Sequence, residues 1–243
     1  NYIVEKPLSN NITGIKNLIK ISASKNIKPL LGYNLRFLPS LIYLKSLVDK
    51  KHFGKILSVQ SRVGSNLVNW RKNKKYENSV SSKIKLGGGV LLELSHEIDY
   101  LSWIFGNFVE VSSIVEKKSD MKIDTEDNAF INFKIGKSKI LGSLNLDFIR
   151  HDPIRECYVI CQNGTIYCDL ISNIVKIYKK NSNKWRTVFY SKKFNSYKYQ
   201  WEYYLKCLKI NKMPLSNLET GLNVIKVIEL IKRSSIKKKT LIL

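Results

Sequence analysis

Residues 127–148 read Asp127-Asn128-Ala129-Phe130-Ile131-Asn132-Phe133-Lys134-Ile135-Gly136-Lys137-Ser138-Lys139-Ile140-Leu141-Gly142-Ser143-Leu144-Asn145-Leu146-Asp147-Phe148. Apolar residues recur here with a period of two, the spacing of side chains along a β-strand. The pattern extends in both directions. Val109–Val115 precedes it, and Glu156–Cys161, Thr165–Leu170, Ile174–Tyr178 and Trp185–Tyr190 follow. Asn163-Gly164 is a hairpin turn between two of these runs. Ile56–Val63 alternates in the same way. The reading is an antiparallel meander of at least six strands.

Helical periods flank the strands. One helix is expected near residues 40–50. Gly87-Gly88-Gly89 opens a second that runs through Phe105 and closes at Gly106, with Leu91, Leu94, Ile98, Leu101 and Phe105 as its core stripe. Two more are expected near 196–210 and 217–233, before an apolar tail, Leu241-Ile242-Leu243. The first 33 residues differ. Tyr2–Val4 reads as a strand, Ser9 caps a helix carrying Ile12, Ile15, Leu18 and Ile19, and Lys28–Tyr33 is a second strand. Strand, helix, strand is one repeat of a parallel sheet, and one repeat needs neighbours to cover its faces. The fold class is therefore α/β, passing to α+β in the C-terminal part.

Composition excludes several classes. The 243 residues are 44% hydrophobic and 11% aromatic, which is enough for a packed core and excludes intrinsic disorder as the main state. No apolar run approaches the ~18–20 residues of a membrane helix, so no membrane association is expected. The net charge of +23 suggests a polyanion partner. However, 35 of the 42 basic residues are Lys, Ile and Asn are abundant, and only Ala23 and Ala129 are Ala. An AT-rich genome explains that bias. A nucleic-acid surface would favour Arg, and the densest basic runs, Lys72-Asn73-Lys74-Lys75 and Lys237-Lys238-Lys239, are short. No specific nucleic acid is expected. Cys157, Cys161, Cys168 and Cys207 form no CxxC pair. Cys157 and Cys161 share a strand face, so a disulfide or metal pair stands against free buried thiols in a reducing cytoplasm, and the second is the expectation. No metal is expected.

On a helical wheel, Glu93, His96 and Asp99 follow one another at three-residue steps opposite the core stripe, with Leu92 and Trp103 among them. A carboxylate one turn from an imidazole orients it and supports its charged form, as a general base requires. The alternative is a solvated polar face. Lys6 follows a strand end, where parallel sheets bind ligands, or it is one surface lysine among 35.

Four blocks in order resemble the Gfo/Idh/MocA oxidoreductases: Glu5-Lys6-Pro7 after a strand; Gly32-Tyr33-Asn34-Leu35-Arg36-Phe37-Leu38-Pro39; Phe53-Gly54-Lys55-Ile56; and Gly87-Gly88-Gly89-Val90-Leu91-Leu92-Glu93-Leu94-Ser95-His96-Glu97-Ile98-Asp99. Pro214-Leu215-Ser216 before a helix fits too. The resemblance implies an NAD- or NADP-dependent dehydrogenase of a sugar, cyclitol or nucleotide sugar. Residues 1–33 would be the last repeat of a truncated Rossmann domain. Residues 34–243 would be a substrate and oligomerisation domain with a large, mostly antiparallel open sheet flanked by helices, and the chain would be a homo-oligomer through that sheet. Lys6 would lie near the nicotinamide, after a cis Lys6-Pro7 bond, with Glu5 and Pro7 beside the cofactor. His96 would be the acid/base. Many members carry Asp where this chain has Leu92, so Glu93 would take over. Asn34, Arg36, Trp70, Arg71 and Asp99 would bind substrate, with 65–86 at the pocket entrance. The family's Gly-rich dinucleotide fingerprint is absent from these residues. The expectation is a fragment inactive by itself. A non-enzymatic scaffold or decayed gene product is the second reading, and a basic nucleic-acid binder is the third.

Overall fold

The computed structural model describes residues 1–71, 75–192 and 194–243. Lys72, Asn73 and Lys74 of the basic run, and so part of 65–86, lie outside the described residues. Among the described residues the strands number eleven: β1 (Ile3–Val4), β2 (Leu30–Leu31), β3 (Ile56–Gly64), β4 (Phe108–Glu116), β5 (Asn128–Ile135), β6 (Ile140–Asp147), β7 (Ile154–Cys161), β8 (Gly164–Asp169), β9 (Ile174–Lys179), β10 (Arg186–Tyr190) and β11 (Leu241–Ile242). The helices are α1 (Ile15–Ser24), α2 (Pro39–Asp49), α3 (Val90–Glu93), α4 (His96–Phe105), α5 (Ser196–Lys209) and α6 (Leu218–Lys237). Nine strands form one sheet in the order β10-β9-β8-β7-β3-β6-β5-β4-β11.

The strands stand where the period of two puts them, but the sheet is not one meander. β3 inserts between β6 and β7, antiparallel to β7 and parallel to β6. It splits the hairpins into β4–β5–β6 and β7–β8–β9–β10. Strand period reports which residues face the core, and it carries no information on which strand lies alongside. The turn between β7 and β8 is Gln162-Asn163, with Gly164 already the first residue of β8.

One sheet face is the core. Val59, Ala129, Ile131, Leu144, Leu146, Cys157, Val159, Ile166, Cys168 and Val175 are almost wholly buried there. α2 covers β8 to β10 and α6 covers β4. α4 lies over the centre, where the Tyr100 hydroxyl meets Ser61 Oγ at 2.6 Å. On the opposite face Ile114 and Phe130, paired in register, stand exposed with Leu141. No helix among the described residues is long and apolar enough to cross a membrane.

The first 33 residues form the expected strand, helix and parallel strand, with Ile3 opposite Leu30 and Val4 opposite Leu31. The helix starts later than a Ser9 cap would place it. Asn11 Oδ1 accepts from Thr13 N at 2.8 Å, and Ser9 Oγ from Asn11 N at 3.3 Å. These local bonds compete with helix formation, and the chain enters α1 only after Gly14 in the left-handed region. Ile15 is buried, while Ile12 and Leu18 are exposed.

The Gly87–Phe105 helix is also different. It is two helices, α3 and α4, interrupted at Leu94 and Ser95. The wheel that aligned Glu93, His96 and Asp99 on one face therefore does not apply. Nor is that side a solvated face, because His96, Glu97 and Asp99 are all buried.

Arg36 and Asp99 are part of the framework. Arg36 Nε and Nη2 donate to the two Asp99 oxygens at 2.9 and 2.8 Å, and Nη1 donates to the Leu215 carbonyl at 2.7 Å. Both side chains are buried. Breaking such a pair strands a charge, whereas replacing both partners by apolar groups does not. Arg36→Met should lower stability by about 3–5 kcal/mol. The double variant Arg36→Met/Asp99→Leu should recover most of that loss in thermal denaturation. Equal losses in single and double variants would show that the ion pair is not what the site requires.

Candidate functional site

A cleft of about 490 Å³ opens beside the end of β1 and the α3–α4 interruption. Lys6, Val63, Gly64, Ser65, Trp70, Arg71, Glu93, Leu94, His96, Ile154 and Arg155 are among its lining residues. Lys6 follows Val4 and Glu5 out of β1 and precedes a cis bond to Pro7. Its Nζ donates to the Glu93 carbonyl at 2.6 Å and lies 3.5 Å from Glu93 Oε2. The Glu93 carbonyl would accept from Glu97 N in a continuous helix. Here Glu97 N turns to Leu94 O at 3.3 Å, in a tighter turn. The Lys6 ammonium thus takes the acceptor that the interruption frees.

The interruption makes His96 the first residue of α4. Its ring meets the Tyr33 ring edge-on at 5.5 Å between centroids. Nδ1 is buried without a hydrogen-bond partner among the described residues. The other ring nitrogen is the one left for the cleft. Burial pulls the imidazole well below its ordinary pKa, and the positive charges of Arg155 and Lys6 pull it further. Among the described residues no carboxylate bonds the ring. Glu93 is engaged by Lys6, and its Oε1 accepts from Ser81 Oγ at 3.0 Å. Asp99 is engaged by Arg36. Burial lowers the Lys6 ammonium from the usual lysine range, and Glu93 opposes that shift.

Of the residues expected from sequence, Lys6, Glu93, His96, Trp70 and Arg71 meet at the cleft. Trp70 packs its ring edge-on against Phe148, and its Nε1 donates to Ser65 Oγ at 2.7 Å. Asn34, Arg36 and Asp99 do not line it: Asn34 Nδ2 donates to Ser196 Oγ at 2.9 Å, and the other two hold each other. Glu5 is exposed and Pro7 half-buried, both outside the lining. The sequence reading missed Arg155, Ser65 and Glu97. Arg155 Nε and Nη2 donate to the Glu97 carboxylate at 2.8 and 3.2 Å, and Glu97 is wholly buried. Burial pushes the Glu97 carboxyl up, and Arg155 holds it down. The scarcity of Arg was the available signal. A second hollow lies over the open sheet face, but its charged groups are already engaged, Arg62 with Glu156, Arg150 with Asp152, and Asp147 with the backbone N–H groups of Ile149 and Arg150.

The burial of a neutral His96 has a consequence for stability. The folded chain binds fewer protons at this residue than the unfolded chain, whose imidazole charges near pH 6.5. Stability from this group is complete above that pH and is lost as pH falls through 6.5 toward the lowered value. Glu97, whose pKa is raised, acts in the opposite direction in wild type and variant alike. His96→Gln should therefore show a smaller drop in Tm than wild type between about pH 7.5 and 5.5, measured by calorimetry. Equal drops would mean that the folded protein protonates His96 freely.

Comparison with known proteins follows the same architecture. A family model described as the GFO/IDH/MocA C-terminal domain matches residues 41–167, just over half of the chain. No curated protein matches the sequence. Among solved structures, levoglucosan dehydrogenase in complex with NADH and L-sorbose superposes with a TM-score of 0.87 at 16% identity, over 99% of this chain and 72% of that one. Aldose-aldose oxidoreductase from Caulobacter crescentus, complexed with glycerol, gives 0.87 at 18% identity, over 99% and 71%. An oxidoreductase from Agrobacterium radiobacter, in complex with NAD+, L-tartaric acid and magnesium, gives 0.84 at 13%, over 99% and 72%. At these identities the likeness is one of fold. The open nine-stranded sheet and the match across residues 41–167 together establish that the chain belongs to the GFO/IDH/MocA C-terminal domain family.

Proposed function

We propose that the cleft is the substrate side of an oxidoreductase site, in which hydride passes between NAD or NADP and a hydroxyl or ketone of a sugar, cyclitol or nucleotide sugar. The observation that carries this reading is the meeting of Lys6 and His96, distant in sequence, at one partly desolvated cleft. Similar folds support it, since one was solved with NADH and L-sorbose and another with glycerol.

The chemistry follows from the two groups. A neutral imidazole with one nitrogen toward the cleft accepts the hydroxyl proton as the alkoxide develops. The Lys6 ammonium offsets the negative charge on that oxygen. Glu93 fixes the ammonium through its carbonyl and carboxylate. A bound nicotinamide would supply the hydride acceptor. The described residues do not fit the dinucleotide's phosphates. Their one Gly-rich turn, Gly87–Gly89, is closed by the Val80 and Ser81 carbonyls over Gly88 and by the Glu126 carboxylate against Gly89. An anion would meet oxygen there instead of free N–H groups. The reading therefore includes a chain by itself inactive and weak in dinucleotide binding.

The open sheet face fits a second copy of the chain, because Ile114 and Phe130 form an exposed apolar pair there, with Leu141 exposed further along the neighbouring strand opposite Lys134. Four buried free thiols suit a reducing compartment such as the cytoplasm.

Calorimetry of this chain with NAD+ or NADP+ should give no micromolar binding; a micromolar dissociation constant would overturn the exclusion of the phosphates. Joined to a dinucleotide-binding domain, the chain should lose roughly 10²–10⁴-fold in single-turnover hydride transfer on His96→Ala, followed at the reduced nicotinamide absorbance. Lys6→Ala should also slow the chemical step, and Glu93→Gln should slow it less if Glu93 only holds Lys6. For alcohol oxidation, the acid limb of the pH profile should lie below pH 6.5, because His96 must be neutral to accept a proton. An unchanged rate in His96→Ala would remove the site assignment and leave the fold intact.

A further inference from the structure

The cleft contains more positive charge than proton transfer needs. Lys6, Arg71 and Arg155 line it, against the carboxylate of Glu93 in the lining and that of Glu97 beneath. Among the described residues no carboxylate pairs with Arg71, which is exposed. Arg155 is the better-built group. It extends from β7 beside His96, and its side chain is 23% exposed. Glu97 takes the Nε–Nη2 edge of its guanidinium from beneath. That leaves the Nη1–Nη2 end of the fork, and Nη1 makes no hydrogen bond among the described residues and is not buried. A guanidinium clamped along one edge has few rotamers left, so little entropy is lost when its free end binds.

The choice of residue supports a specific role. In a chain with 35 Lys and seven Arg, a cation needed only for charge is ordinarily Lys. Arg presents a planar pair of donors that matches the two oxygens of a carboxylate or phosphate. Its charge also lowers the pKa of His96, so the positive field extends to the proposed proton acceptor.

We infer that the substrate carries an oxyanion, a carboxylate or a phosphate, and that the free end of Arg155 receives it, with Arg71 at the cleft rim and Glu97 as the positioning residue. This rests on the reading of the cleft as a substrate site and narrows it from sugars in general to acidic or phosphorylated ones.

With three histidines in the chain, imidazole NMR signals are easily assigned. The test is titration with D-glucose, D-glucuronate and D-glucose 6-phosphate, read at His96. One of the two anionic sugars should shift the His96 signals with a dissociation constant about tenfold or more below that of D-glucose, the range expected for a hydrogen bond to a charged group. The preference should shrink as salt is raised. The better anion identifies its source as carboxylate or phosphate. Arg155→Lys keeps a charge for Glu97 and should abolish most of the preference, read as the ratio of the anionic sugar's dissociation constant to that of D-glucose. Glu97→Gln should do the same; a merely structural role would weaken all three ligands together. Arg71→Met, at an exposed position, tests the rim without endangering the fold, and should reduce the preference severalfold. Equal affinity for all three sugars at His96 would overturn the oxyanion inference and leave the site reading in place. No His96 response to any of them at about 100 mM would remove both.

Discussion

The ammonium of Lys6 on the carbonyl of Glu93 ties two segments 87 residues apart and sets the form of the centre. A continuous helix would use that carbonyl for its own ladder. An ordinary helix bond contributes about 1 kcal/mol, and one with a charged donor about 1.5–3 kcal/mol. The interruption of the helix is thus offset by the bond that replaces it. The break also moves His96 from mid-helix to a helix start, beside the chain that leaves β1, and turns Glu97 beneath Arg155. The bond thus bears on the position of Lys6, Glu93 and His96, three polar groups of the cleft.

The two basic residue types divide the work. Lysines supply most of the charge, spread along the chain, while four of the seven arginines hold carboxylates: Arg36 with Asp99, Arg62 with Glu156, Arg150 with Asp152 and Arg155 with Glu97. Two of those acids, Asp99 and Glu97, lie on α4 and are almost completely buried. A buried carboxylate needs partners for both oxygens, and a guanidinium can supply both from one side chain. α4 is therefore anchored to the sheet through β7 and to the 34–37 segment through Arg36, with the imidazole on the residue just before the first of these anchors.

The strands from 108 to 190 were legible because a two-sided sheet imposes alternation on each of them locally. The insertion of β3 was not, since Ile56–Gly64 reads the same beside any neighbour. The helix from 90 to 105 looked continuous because its stripe is continuous in sequence; its interruption depends on a lysine far upstream. Lys6, Glu93, His96, Trp70 and Arg71 were visible as residue types in a familiar order, and they do converge. Arg36 and Asp99 have the same polar character, but they are matched to each other, and pairing is invisible without coordinates. Arg155 sits in an ordinary strand pattern, where nothing local separates a cleft residue from a surface one.

The parallel pairing of β3 with β6 orders events during synthesis. β3 leaves the ribosome before both strands that flank it, and between it and β6 come α3, α4, β4 and β5. Until β6 and β7 arrive, the central strand of the finished sheet has two open edges, each a row of unpaired N–H and C=O groups. Contacts so distant in sequence place the chain among slowly folding topologies. The alternating Gln60 and Arg62 on its outer side keep that nascent edge charged and polar while it waits, which discourages pairing with other chains.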